Sequence, residues 1–159
     1  MRYLLFSIIV AASLCACGTD KEEAGNILTQ NAWRWDVQAI KDSISHMQLA
    51  QSEYDVIMAS LKRMETGVFE FRKDKSMSLT IQGEERVGTW ELKSGGKVLA
   101  MALPNIAIVD NVITSIEPGR FVLAADKPQG ILFAKIFVPM EKSNVPPKVE
   151  PADTTGQQQ

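Results

Sequence analysis

At 159 residues, with 45% hydrophobic and 23% charged side chains, the chain is long enough to bury one core and short for two, so a single domain is expected. Its formal net charge of -2 becomes -3 without Arg2, which sits in the leader, because 16 basic residues then face 19 acidic ones. So mild an acidic excess, without clustered Lys and Arg, excludes an electrostatic case for nucleic acid as a partner.

The leader, residues 1–16, has one positive charge at Arg2, an apolar stretch from Tyr3 to Val10 and then small residues. This is the layout of a secretory signal peptide, and the stretch is too short for a spanning helix, which needs about 20 apolar residues. The tetrapeptide Leu14-Cys15-Ala16-Cys17 resembles the lipobox of bacterial lipoproteins, with Leu three before the cysteine and a small residue directly before it. Cys17 meets both conditions, whereas Cys15 has bulky Leu14 in the small position. The resemblance implies that cleavage precedes Cys17 and that this residue carries the lipid. Each buried CH2 then contributes about 0.8 kcal/mol, and two or more chains anchor a protein stably where one binds marginally. The alternative is a plain secretory peptide cut elsewhere, with Cys17 left as an odd thiol.

Residues 17–27 read as a lipidated tether. Within it, Lys21-Glu22-Glu23 looks like the surface-export signal of lipoproteins in one group of Gram-negative bacteria, although a charged tether is also what solubility alone selects. Gly18 is not the Asp associated with inner-membrane retention. The expected location is the outer membrane, on its periplasmic face or at the cell surface.

Beyond the tether, Trp33, Trp35, Val37 and Ala39 alternate with Arg34, Asp36 and Gln38, the pattern of a half-buried strand. The period then changes. Met47, Ala50, Tyr54, Ile57, Met58, Leu61 and Met64 recur three or four apart, which predicts one amphipathic helix starting near Ser45 or Ser52. Ser52 with Asp55 resembles a capping box, and Gly67 after Lys62-Arg63 marks the end.

From Val68 the chain reads as short strands separated by turn residues. Phe69 and Phe71 share one face, then Met77, Leu79 and Ile81, then Gly88, Trp90 and Leu92, with turns at "KDK", "QGEE" and "KSGG". "KVLAMAL" follows, with further strands over Ile106 to Ile116, Arg120 to Ala125 and Ile131 to Val138. Alternation at this spacing predicts a mainly β protein, an antiparallel meander closed into a barrel or folded as a sandwich. Closure removes exposed edges.

Phe69, Phe71 and Asp74 in an F-x-F-x-x-D hairpin, Gly88 and Trp90 in a Gly-x-Trp strand, and the Gly95-Gly96 turn make residues 28–142 similar to the lipocalin-like domains of bacterial lipoproteins. That resemblance implies a small barrel of about eight strands with one helix after the first. The chain departs from the plain layout in its long insertion before Val68 and in Asn31-Ala32-Trp33 at the usual first Gly-x-Trp. Residues 143–159, with Pro146, Pro147 and Pro151 among polar residues, are expected to be a disordered tail.

No catalytic residue is assigned. His46 is the single histidine, and once Cys17 is acylated the mature chain has no free thiol. Nucleophilic catalysis would rest on His46 without a motif or an orienting carboxylate, and zinc would lack its ligands. Asp110-Asn111 and Glu84-Glu85 do not make an oxygen-ligand site, and Gly95-Gly96 is followed by a strand rather than a phosphate-holding helix. No metal or cofactor is implied. Trp33, Trp35, Phe69, Phe71 and Trp90 are the candidate ligand-binding residues, because a small barrel can hold one apolar molecule. The same side chains equally serve a solid core. Two readings follow: a non-enzymatic, lipid-anchored binding module for a small apolar or amphipathic ligand, or a solid-barrel lipoprotein that engages an envelope protein.

Overall fold

In the computed structural model, which describes residues 20–105, 107–125 and 133–142, the period-2 segments form eight strands. They are β1 (Ala32–Trp35), β2 (Val68–Phe71), β3 (Ser76–Ile81), β4 (Glu84–Lys93), β5 (Val98–Ala102), β6 (Val109–Glu117), β7 (Arg120–Leu123) and β8 (Lys135–Met140). Each pairs antiparallel with the next, and β8 returns to β1 with Ala32 opposite Met140, so the meander closes into a barrel with no free edge. The fold class expected from the sequence is therefore the one observed.

Alternation along the strands sends the aromatic residues inward, where they interlock. Phe121 stacks on Phe137 at 4.2 Å, Trp33 meets Phe121 edge-on at 4.8 Å, and Phe71 meets Trp90 at 5.6 Å. Edge-to-face and offset pairs of this kind add to the burial term. The F-x-F-x-x-D hairpin closes through Asp74, whose carboxylate accepts from the Ser76 hydroxyl at 2.7 Å and the Ser76 N–H at 2.9 Å. These bonds, the hydroxyl's first, hold the Asp74 carboxyl below the usual carboxylate range. Between β3 and β4 the loop is only Gln82-Gly83, both at positive φ, a two-residue hairpin turn; Glu84 and Glu85, expected in that turn, already belong to β4.

The helical content corrects the sequence expectation of one helix. Among the described residues there are three: α1 (Lys21–Gln30), α2 (Val37–Ser45) and α3 (Gln51–Met64). The first occupies residues 21–27, expected to be tether. Asp20 caps it by accepting from the Glu23 N–H at 2.8 Å, and Ala24, Ile27 and Leu28 form a buried face at helical spacing. The second takes over what the alternation had extended as strand. Asp36 ends β1 and accepts from the Ala39 N–H at 3.0 Å, starting a helix whose Ile40 and Ile44 are buried. The third begins at Gln51, with the Glu53 carboxylate accepting from the Ala50 N–H rather than a Ser52–Asp55 box.

Replacing Asp36 by alanine is expected to cost about 1 kcal/mol, the usual loss for an N-cap, without altering the β1 pairing. Urea unfolding followed by circular dichroism reads this directly; a change under a few tenths of a kcal/mol would show that α2 is held by packing alone.

Residues 1–16, the lipidation candidate Cys17 and the tail 143–159 lie outside the described residues.

Candidate functional site

The barrel interior differs between its two ends because only one end receives α1. That helix packs against β2, β4 and β6 and pushes Ile27 and Leu28 into the core. Gly96, at φ +90°, lies against the helix start, where a Cβ would come within 3.1 Å of Lys21 Cα. The C-terminal carbonyls of α1 are satisfied from the barrel: Trp33 Nε1 donates to Leu28 O at 2.9 Å and Lys142 Nζ to Thr29 O at 3.0 Å. This end is solid.

The other end is not. A cavity of about 260 Å³ opens there, walled by Trp35, Phe69, Leu79, Met101, Leu103 and Phe137 among others. The α2–α3 insertion joins β1 to β2 at this end and contributes Met64 to the wall. Pocket walls in general are mostly apolar with a few placed polar groups. Among the described residues, the polar groups here are Lys135 and Asn111. Lys135 is opposite Leu123 and in phase with Phe137, and Asn111 is opposite Leu99, so the pleat turns both inward. They are 8% and 5% exposed. Lys135 Nζ donates to Asn111 Oδ1 at 2.5 Å, while Asn111 Nδ2 donates to the carbonyls of Val109 at 3.1 Å and Leu99 at 3.3 Å. The carboxamide is thereby oriented with its oxygen toward the ammonium.

Of the five aromatic residues singled out from the sequence, Trp35 and Phe69 line this cavity. The Trp35 Nε1–H is buried and has no hydrogen-bond partner among the described residues. Trp33 and Phe71 are fully buried in the solid half. Trp90 is buried at the α1 end, where its Nε1 donates to Arg72 O at 3.0 Å and Lys75 Nζ sits 4.1 Å over its ring. Its role in the Gly-x-Trp strand is to pin the β2–β3 turn onto β4. A wider groove of about 380 Å³ runs along the outer face of β4 and β5 between Lys21, Lys75 and Ile108. Outward-facing Thr89, Glu91 and Lys93 contribute to its wall, so it is a surface cleft rather than part of the barrel interior.

Lys135 and Asn111 escaped the sequence reading, though a signal existed: each is a polar residue on an otherwise apolar parity, in Phe133-Lys135-Phe137 and Val109-Asn111-Ile113. His46 is exposed at the C-cap of α2. Among the described residues, no group of three or more His, Cys, Asp or Glu is placed to hold a metal ion, and no helix is long and apolar enough to cross a membrane.

The fold and the cavity define a class: a small closed eight-stranded antiparallel barrel of lipocalin-like form, plugged at one end and hollow at the other. No protein-family model matches the chain, and no curated protein matches it. Among solved structures it is similar to the crystal structure of a DUF4847 family protein from Bacteroides vulgatus, at 13% identity and a TM-score of 0.46, over 74% of this chain and 97% of that one.

Proposed function

We propose that this chain is a lipid-anchored lipoprotein of the outer membrane, on its periplasmic face or at the cell surface, whose barrel binds a small apolar or amphipathic molecule without chemically changing it. The cavity between Trp35, Phe69, Leu79 and Met101 carries the binding reading, because a barrel with no ligand to hold has every energetic reason to fill that space with side chains. The anchor rests on the match of Leu14-Cys15-Ala16-Cys17 to a lipobox. Its geometry suits the reading. The first residue of α1, Lys21, is four positions after Cys17, a span of at most about 14 Å of extended chain, so a lipid on Cys17 holds the solid end near the bilayer and leaves the cavity mouth facing away.

The test is to isolate the full chain from its own host, extract it under denaturing conditions and analyse the extract by mass spectrometry, beside a Met101→Trp variant that fills the cavity. The expected result is one reproducible small apolar species, reduced about ten-fold or more in the variant while its circular dichroism stays that of the barrel. A clean extract from repeated preparations overturns the reading. It would favour the second one, a protein-interaction lipoprotein, for which Val87, Ile108 and Val112 supply apolar side chains 51%, 66% and 53% exposed on the outer side of the β4–β6 region.

A further inference from the structure

The chain has three indoles, and the fold supplies a hydrogen-bond acceptor to two of them. Trp33 Nε1 donates to Leu28 O and Trp90 Nε1 to Arg72 O. Trp35 is treated differently. It is 8% exposed, and its Nε1–H is buried without an acceptor among the described residues. Nearly every buried N–H in a folded protein is paired, because one left alone has given up its water with nothing in exchange. The polar side chains described on the cavity wall, Lys135 and Asn111, are bonded to each other.

The unpaired donor lies at the edge of the cavity. Trp35 ends β1 and lines that cavity, with its ring against Phe137 at 4.5 Å and Phe69 at 5.7 Å, so close packing leaves the indole little freedom to turn its N–H elsewhere. Its pyrrole edge meets the link between α3 and β2. A Cβ at Gly67 would lie 3.1 Å from Nε1 and 3.2 Å from Cδ1, so glycine keeps a side chain off the donor. Three residues earlier, the half-buried Met64 lines the cavity, so one short link both abuts the N–H and borders the open space. A methionine side chain is unbranched and repacks readily, which makes Met64 the adaptable part of the wall beside a fixed donor.

We infer that the occupant carries an acceptor oxygen, such as a ketone, ester or amide carbonyl, which takes the Trp35 N–H as Met64 turns aside, while its apolar body lies against Phe69, Leu79 and Met101. A pure hydrocarbon of the same shape leaves the donor unpaired and gains burial alone. Sites built around a hydrogen-bonding group discriminate against the analogue that lacks the partner.

This inference rests on the binding reading above, and the probe pair separates the two. Acetophenone and α-methylstyrene share a shape, with C=O in one replaced by C=CH2 in the other. Each is titrated calorimetrically into the full chain and into Trp35→Phe, which keeps an aromatic ring and drops the N–H. Both probes lose the same ring contact in the variant, so the ratio of their affinities isolates the donor. The preference for acetophenone is expected to fall about five-fold or more from the native chain to the variant. An unchanged ratio overturns the acceptor inference and leaves the cavity reading intact. Binding of neither probe to the native chain overturns the cavity reading, and this inference with it. Should Trp35→Phe fail to fold, 1H–15N spectroscopy of the native chain decides. Two indole N–H signals belong to the donors already held by Leu28 O and Arg72 O, and the third is expected to move downfield with acetophenone and not with α-methylstyrene. A third signal that ignores bound acetophenone overturns the inference.

Discussion

Replacing Trp33 by alanine is expected to lower the unfolding free energy by about 4 kcal/mol, within the usual range for removing a large aromatic side chain from a core. Three losses add. The indole is fully buried, so its removal leaves a void that the closed barrel can fill only partly. Its edge contact with Phe121 at 4.8 Å disappears. Leu28 O, in the last turn of α1, loses the indole N–H that satisfies it at 2.9 Å and is left as a buried acceptor. Against a total stability of about 5–15 kcal/mol for a typical domain, the variant sits near the edge of folding. Trp33→Phe is the companion measurement: it keeps most of the volume but drops the hydrogen bond, and a loss of about 1–3 kcal/mol is expected in urea. If Trp33→Ala costs less than about 1 kcal/mol, α1 does not plug the barrel as described.

Gly88→Ala is expected to cost about 3 kcal/mol, although it adds a single methyl group. A Cβ at position 88 would lie 2.0 Å from Ala102 O and 3.1 Å from the Leu103 side chain. Real Cβ atoms do not approach a carbonyl oxygen so closely, so β4 and β5 must separate where Thr89 pairs with Ala102 and Trp90 with Met101. Leu103 and Met101 belong to the cavity wall, so the strain reaches the binding end. Gly119→Ala provides the contrast. Nothing lies within 4 Å of its Cβ position, and the same change there is expected to shift stability by under about 0.5 kcal/mol. Thermal denaturation of the pair reads the difference; equal melting temperatures would sink the account of why glycine stands before Thr89-Trp90.

The barrel was legible in the sequence because strand alternation and turn residues are local signals that tertiary packing reinforced. The meander from Val68 to Met140 follows from them. The two missed helices have separate causes. Around Trp33, Trp35, Val37 and Ala39 two periods overlap: Val37 fits the strand, yet Val37, Ile40 and Ile44 are also three and four apart, and Asp36 decides between them as a cap. At Lys21-Glu22-Glu23 the charges drew attention from Ala24, Ile27 and Leu28 behind them, which make a buried helical face.

The cavity was only half legible for a different reason. Sequence alternation tells which side chains point inward, but not how far along the barrel axis each one sits. Trp33 and Trp35 point the same way, one pleat apart, yet the first packs against the α1 plug and the second borders open space. Lys135 and Asn111 carried only their place on an apolar parity, and register fixes their partners, Leu123 and Leu99.

Barrel closure also dictates when the chain can finish folding. The seam between β1 and β8 joins Ala32 to Met140 and Trp35 to Phe137, so the first strand acquires its second neighbour only from a segment about a hundred residues later. Local hairpins such as β2–β3 can form and dissolve on their own within microseconds, but the seam requires nearly the whole domain to be present. Contacts at such sequence separation slow the search, and folding is expected on the millisecond-to-second scale of non-local β proteins rather than the microseconds of helical bundles. Until its last strand arrives the chain remains an open ribbon, with the unpaired edges of β1 and β8 exposed until they meet each other.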